Sequence, residues 1–305
     1  MVELRGVIED TLIALLAGGN VLLEGVPGIG KTYLVRTLGQ VLNLQFRRVQ
    51  FTADLMPSDI IGTNLLVQDE HGKRLAFQPG PLFTNLLLAD EINRATPKTQ
   101  AALLEAMEEH SVTIGGVTTP LDEPFFILAT QNPIEQDGTY PLPKAQLDKF
   151  LFKLQVGYPS AGGLVEIAVR TTLERYPAVQ QVAGGSEILR MQRMVRQVPT
   201  ASHVEEFALR IARATQPDSP LATATTRRYV ESGTGPRGLL AIAHAAKARA
   251  LARGNYFVAR EDVCAVAVQA LEHRIQRNLE AEAEDLGAAE IVGRILAEVQ
   301  EGPGP

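Results

Sequence analysis

The sequence predicts an α/β core with a parallel five-stranded sheet, followed by a smaller, almost wholly helical domain. Three observations carry that reading. Five apolar runs of strand length fall in the first half, at residues 21–25, 46–51, 86–90, 125–130 and 152–156. Those at 86–90 and 125–130 are unbrokenly apolar, as parallel strands are when covered on both faces. After Gly157-Tyr158-Pro159-Ser160 the apolar spacing changes to the helical period.

Taken in order, residues 7–16 read as a helix, and Gly18-Gly19-Asn20 turns the chain into the first strand. Gly25-Val26-Pro27-Gly28-Ile29-Gly30-Lys31-Thr32 follows, with a helical pattern beginning at Lys31 and running through Leu34, Val35, Leu38, Val41 and Leu42. Strand, glycine-rich loop, Lys-Thr and helix in that order make a phosphate-binding loop. Its backbone N–H groups turn inward onto phosphate oxygens. Lys31 would reach the β- and γ-phosphates and the Thr32 hydroxyl would ligate Mg²⁺. A chance glycine-rich turn is disfavoured by the complete GxxxxGKT in this setting.

The cluster Met56-Pro57-Ser58-Asp59 opens a short helix. Residues 65–77 read as a hairpin with a polar tip at Asp69-Glu70-His71-Gly72-Lys73, a solvated turn or a substrate-facing loop. Thr96-Pro97 caps a helix that buries Leu103, Leu104 and Met107, and residues 112–121 read as a second hairpin around Gly115-Gly116. In the helical part, Ser202-His203-Val204-Glu205 reads as a capping box. Gly233-Thr234-Gly235-Pro236 breaks the chain before a helix, Val258-Ala259-Arg260-Glu261-Asp262 starts another, and residues from 280 make a terminal helix or helix pair. Residues 301–305 read as a frayed end.

Bulk properties narrow the function. With 305 residues and a formal charge of −6, the chain has room for two domains and no general attraction to nucleic acid or anionic membrane. The acidity lies in the first 159 residues, with 12 Lys+Arg against 18 Asp+Glu; the remainder has 17 against 17 and is rich in Arg relative to Lys. A single cysteine, Cys264, excludes an internal disulfide and a cysteine zinc site, and its apolar helical setting reads as core packing. No apolar run reaches the roughly 18 residues of a membrane span. Glu9 and Asp10 interrupt the N-terminal run, so it does not read as a signal peptide, and a cytoplasmic protein is expected.

The chemistry concentrates at strand ends. Asp90 and Glu91 close the run at 86–90. Asp90 would hold Mg²⁺, mostly through water, and Glu91 would polarise the attacking water. Adjacent carboxylates repel unless a cation is near, and Lys31 and Mg²⁺ supply one. Asn132 closes a second apolar run, where an amide can orient water or the γ-phosphate without adding charge; Asn-Pro is also a common turn. Arg237 stands at a helix start, an unfavourable dipole position for a cation unless it reaches a phosphate; a solvated arginine is the alternative.

GVPGIGKT, LLLADEINRA, KTQAALLEAMEE, PFFILATQNPIEQDGTYPLPKAQLDKF and the later GPRG together resemble the MoxR family of AAA+ ATPases. This family lies in the helix-2-insert clade and is related to the AAA+ subunits of magnesium chelatase. The resemblance spans roughly residues 5 to 160 and weakens beyond. It implies an AAA+ core over residues 1–158, with the hairpins at about 65–77 and 112–121 as inserts, and an all-α lid over 159–305. It implies Walker B roles for Asp90 and Glu91, sensor 1 for Asn132 and sensor 2 for Arg237. ATP or ADP with Mg²⁺ would sit on Val26, Pro27, Gly28, Ile29, Gly30, Lys31, Thr32, Tyr33 and Asp90. It further implies a homo-oligomeric ring, commonly hexameric, and a chaperone-like role on a client complex beside a von Willebrand factor A domain protein.

The chain departs from the family pattern at Lys149, where relatives carry the arginine of Leu-Asp-Arg-Phe, and at Lys144, where they carry an acid. Lys149 keeps the charge of a trans finger but loses the planar fork. Relatives also carry more chain ahead of the segment at 7–16, so this sequence is expected to begin short. The reading is a remodelling ATPase. A nucleotide-switched binding module with little turnover is the alternative that Lys149 favours. A small-molecule P-loop kinase is the other, and the Asp-Glu pair argues against it by pointing to water as the nucleophile.

Overall fold

The computed structural model describes residues 3–26, 28–69, 72–132, 138–172 and 179–301. It divides into two compact units, one of residues 1–9, 20–142 and 154–189, the other of residues 10–19, 143–153 and 190–305. The tip residues Glu70 and His71 and the end after Glu301, both read from the sequence, lie outside the described residues.

The chain opens with α1 (Arg5–Ala17), β1 (Val21–Glu24), α2 (Lys31–Val41), β2 (Phe46–Gln50), α3 (Pro57–Ile61) and the hairpin of β3 (Gly62–Asp69) and β4 (Gly72–Pro79). Next come β5 (Leu86–Asp90), a 3-10 turn at Ile92–Arg94, α4 (Pro97–Glu109), the hairpin of β6 (Ser111–Ile114) and β7 (Val117–Pro120), β8 (Phe126–Gln131), α5 (Lys144–Leu147) and β9 (Phe152–Gln155). The rest is α6 (Ala161–Thr172), α7 (Gly185–Gln197), α8 (Ser202–Ala214), α9 (Ala224–Tyr229), β10 (Val230–Ser232), α10 (Pro236–Ala252), α11 (Arg260–Leu271), β11 (Gln276–Arg277), α12 (Leu279–Ala283) and α13 (Ala288–Glu301).

The sheet is parallel and runs β2-β5-β8-β1-β9. Val21 registers with Leu128, Leu86 with Phe126 and Phe46 with Leu86. Leu22, Leu23, Leu87, Leu88, Ala89, Ile127 and Leu128 are fully buried, as expected of strands with both faces covered. Each buried leucine contributes roughly 1.5–3 kcal/mol relative to an exposed one. Because the strands are parallel, the turns leaving β1, β5 and β8 all open at one edge, where such sheets bind ligands. The β6–β7 turn needs left-handed backbone at both centres, and Gly115 (φ 58°) and Gly116 (φ 82°) supply it.

The second unit is mostly helical, and its β10 and β11 form a short antiparallel pair that the sequence pattern did not announce. In α8, Val204, Phe207, Ala208 and Ile211 are buried along one stripe. The capping box expected at Ser202 is corrected: the helix starts at Ser202 and its N-cap is Ala201, with no side-chain cap. Thr200 is held in a bridge with Val258, whose N–H donates to Pro199 O at 3.1 Å, and this fixes the helix entry one residue earlier than Ser202 could cap it. At the start of α11, Asp262 accepts from Ala259 N–H at 3.0 Å and pairs with Arg249 of α10. Cys264 is half-buried, and Gln300 donates to its Sγ at 2.8 Å.

Beyond α11, Arg274 has a side chain only 3% exposed and fans its guanidinium over the segment at 148–151. Nε meets Asp148 Oδ1 at 2.8 Å, Nη2 meets the carbonyls of Asp148 at 2.9 Å and Phe150 at 2.6 Å, and Nη1 meets Leu151 O at 3.1 Å. His273 is buried beside this cation, its Nε2 3.1 Å from Phe150 O. Burial, reinforced by the Arg274 and Lys153 charges, pushes its pKa well below the ordinary 6.5.

A pH dependence follows. The folded chain holds His273 neutral while the unfolded chain takes up a proton near pH 6.5, so the unfolded state binds more protons below that point. Stability is therefore full above pH 6.5 and falls as the pH drops through it. His244, whose pKa is lowered by desolvation and by the Lys247 and Arg196 charges, acts in the same direction. Denaturant titrations at about pH 7.5 and about pH 5.5 are expected to differ by about 1 kcal/mol on account of His273. A His273→Gln variant is expected to show that much less pH dependence, whatever its absolute stability.

Candidate functional site

The site is built where β1, β5 and β8 end. Gly25 leaves β1, its N–H donating to Gln131 O at 3.3 Å. Gly28 (φ 85°) and Gly30 (φ 86°) then take left-handed backbone, which any other L-residue adopts at a cost of roughly 1–2 kcal/mol. A Cβ added at either would meet nothing within 4 Å, so the loop faces open space on that side. Gly30 is the N-cap of α2 and has no side chain to satisfy the helix's first N–H groups. Those donors are left for a ligand, and the helix dipole there favours an anion.

Lys31 opens α2 half-buried, and its Nζ donates to Gly25 O at 2.6 Å. Burial lowers its pKa, while Asp90, Glu91 and Glu24 pull it back up. The lysine thus already lies in the field of the paired carboxylates. Thr32 is half-buried one residue further on, Val26 and Ile29 are half-buried in the loop, and Tyr33 is 47% exposed. Pro27, counted among the nucleotide-binding residues from the sequence, lies outside the described residues.

Asp90 is the last residue of β5. Its Oδ1 accepts from the Thr130 hydroxyl at 2.6 Å, and its Oδ2 accepts from Arg48 Nη2 at 2.6 Å and Nε at 3.1 Å. Glu91 has φ 57° and ψ 51°, a left-handed conformation uncommon for glutamate. It is held there from both sides: its N–H donates to Thr130 Oγ1 at 2.8 Å and its carbonyl accepts from Arg94 N–H at 2.9 Å. Its Oε2 accepts from Gln50 Nε2 at 2.8 Å and from Arg94 Nη1 at 3.3 Å. Below the pair, fully buried Gln100 donates to the carbonyls of Ile92, Ala95 and Tyr140 and fixes the turn after the acids.

Asn132 stands one residue past β8 and is 5% exposed. The following residues 133–137, which carry part of the ATQNP–EQ–G run, lie outside the described residues. The first unit therefore brings together the described loop residues with Asp90, Glu91 and Asn132. Lys149 and Arg237 belong to the second unit. Lys149 follows α5 and is half-buried, its N–H donating to Gln146 O at 3.2 Å; Arg237 is exposed in the first turn of α10. Lys144 donates to Ser232 Oγ at 2.8 Å, and burial lowers its pKa against the pull of Asp148 and Glu231.

The donor set suits Mg²⁺ more than a metal caged by protein alone. Among the described residues no group of three or more His, Cys, Asp or Glu could enclose an ion. One carboxylate, Asp90, and one hydroxyl, Thr32, are hard oxygen donors of the number that Mg²⁺ takes when phosphates and water complete its shell. Open left-handed glycines, an uncapped helix start and a half-buried lysine suit a polyphosphate in the same way.

Comparison with known proteins now decides the family. Residues 20–152 match the family described as ATPase family associated with various cellular activities (AAA), and residues 222–295 match the AAA lid domain. Over 292 residues the chain is 41% identical to Chaperone MoxR1 of Mycobacterium tuberculosis, covering 96% of this chain and 77% of that one. The chain belongs to the MoxR family of AAA+ ATPases. It is also 41% identical to the protein YeaC of Bacillus subtilis over 301 residues, covering 98% of this chain and 91% of that one. A crystal structure from Cytophaga hutchinsonii superimposes with a TM-score of 0.90 at 38% identity, covering 98% of this chain and 90% of its own. As a MoxR-family protein it has the nucleotide-binding AAA+ core and AAA lid read from the motifs.

Sequence reasoning missed Arg48, Gln50, Arg94 and Thr130, which hold the two acids. A faint signal exists for the first two: they alternate in Phe46-Arg47-Arg48-Val49-Gln50 and so share one face of a strand. Thr130 serves both acids through one buried hydroxyl, which gives a stability prediction. Thr130→Val keeps the shape but strands Glu91 N–H and one oxygen of Asp90, and is expected to cost about 1–3 kcal/mol in denaturant unfolding. Thr130→Ser, which keeps the hydroxyl, is expected to cost clearly less.

Proposed function

We propose that this chain is a MoxR-type ATPase that hydrolyses ATP with water and uses the cycle to remodel or mature a partner protein complex. The observation that carries hydrolysis is the pair Asp90–Glu91, fixed at the end of β5 in the field of the P-loop lysine. In this reading Lys31 and the loop N–H groups bind the β- and γ-phosphates. Asp90 and Thr32 hold Mg²⁺. That ion, when bound, neutralises phosphate charge and fixes the reacting geometry. Glu91 takes the proton of the attacking water, and Asn132 orients that water or the γ-phosphate. Arg237 contributes from the lid, and Lys149 serves a neighbour's γ-phosphate as the trans finger. The core would span 1–158 and the lid 159–305.

AAA+ ATPases act as oligomeric rings, and a hexamer is the proposed assembly. The proposed partners are a von Willebrand factor A domain protein and a client complex, in the cytoplasm, with no nucleic acid among them. Among the described residues no helix is long and apolar enough to cross a membrane. The β3–β4 hairpin supports a partner contact: cross-strand neighbours Leu66 and Leu75 are 65% and 69% exposed.

Lys149 favours a second reading, in which ATP assembles the ring and turnover is slow. A lysine lacks the planar fork, and a trans arginine is worth about 10³–10⁵ in rate in other NTPases. Three assays separate the readings. Phosphate release from ATP without any acceptor is expected; a strict acceptor requirement would point to a kinase instead. Glu91→Gln is expected to bind ATP as the parent does while turnover falls by at least about 10²-fold. Lys149→Arg is expected to raise turnover; equal near-zero rates in all three proteins would support the switched binding module.

A further inference from the structure

Asp90 meets a guanidinium before it meets a metal. Arg48 Nε and Nη2 both converge on Oδ2, while Thr130 takes Oδ1. The Asp90 side chain is 13% exposed and that of Arg48 is 45% exposed. The guanidinium is not a loose surface group. Its Nη2 also donates to Gln50 Oε1 at 2.6 Å, and the Gln50 amide passes on to Glu91 Oε2. β2 registers with β5 so that Gln50 faces Asp90 and Arg48 faces Leu88, which sets Arg48 to reach forward along the strand to the acid. A carboxylate oxygen already holding two charge-assisted donors is a weaker ligand, directly or through water, and a fixed positive charge there repels an incoming cation.

We propose that Arg48 is a built-in counter-cation of the metal-binding carboxylate: it neutralises Asp90 while no divalent ion is bound and competes with that ion for Oδ2. The proposal rests on the assignment of Asp90 to Mg²⁺ made above. Its consequence is that divalent-ion affinity is set lower than the Asp90 carboxylate alone would give.

Mn²⁺ titration of the full-length protein, saturated with ADP and followed by the electron-spin resonance of the free ion, tests this without reference to turnover. Arg48→Gln keeps an amide donor in place and removes only the charge; Arg48→Met removes both. Each is expected to bind Mn²⁺ about two- to fivefold more tightly than the parent, the range that a half-exposed ion pair carries. Arg48→Lys, which keeps the charge, is expected to stay near the parent. Asp90→Asn is expected to weaken Mn²⁺ binding severely, and this arm reads the assignment itself. Unchanged Mn²⁺ affinity in Asp90→Asn would remove the assignment and the proposal together. A weakened Asp90→Asn with unchanged or weaker binding in Arg48→Gln would overturn the proposal alone. Circular dichroism of each variant confirms folding, and either Arg48 variant suffices if the other fails to fold.

Discussion

Two carboxylates that follow one another at the end of a strand repel, and how the chain keeps both in one place governs the rest of the site. In a continuous strand, consecutive side chains point to opposite faces. Asp90 and Glu91 instead both meet donors from β2, and those donors, Arg48 and Gln50, are two residues apart on one face. The left-handed backbone at Glu91 makes this possible by ending the strand pattern between the two acids. That conformation is strained for glutamate by an amount on the order of 1–3 kcal/mol. Thr130 and the Arg94 N–H hold it, and the fully buried Thr130 comes from the neighbouring strand β8. An acid placed on a fixed, strained backbone is pre-oriented, and the sheet supplies the fixing.

The same order β2-β5-β8 explains what could be read in advance. The P-loop and the Asp-Glu pair are local words, each contained in a few residues, and their elements fall where the pattern put them. The two hairpins, the five strands of the sheet, the helix start at Pro97 and the break ahead of the helix near Pro236 were legible for the same reason: glycine, proline and apolar spacing act over short range. Arg48, Gln50 and Thr130 were not legible. They lie about 40 residues from the acids they hold, and only the pairing of β2 and β8 with β5 brings them there. The capping box at Ser202 failed for a related reason. A four-residue match cannot see that Thr200 is tied to Val258, some 58 residues away, which shifts the helix entry by one.

Electrostatics in the first unit is balanced, not merely satisfied. Lys31 is pulled in opposite directions by burial and by three carboxylates. Its ammonium rests on the carbonyl of Gly25, within the loop whose Gly28 and Gly30 border open space. Anions entering that space would find donors and a cation already desolvated in part, so less hydration has to be removed from the protein on binding. The loop therefore has the character of a preformed anion site, whereas the acid pair has its own cations and is closed on itself by Arg48, Gln50 and Arg94.

Position 149 shows how the second unit divides side chain from backbone. The segment at 148–151 is pinned by one buried guanidinium, which takes the carbonyls of Asp148, Phe150 and Leu151 and the carboxylate of Asp148. A buried arginine is expensive to desolvate, and here Asp148 and the carbonyls offset that cost, with Asp148 raising a pKa that burial lowers. Phe150, fully buried, anchors the same segment by packing. The backbone at 149 is thus held between pinned neighbours, and a lysine or an arginine there would differ only beyond Cβ. An ammonium on a flexible stem can deliver charge but not two parallel donors. With the backbone pinned, what this position presents is decided by the reach and geometry of the Lys149 side chain and not by the fold that carries it.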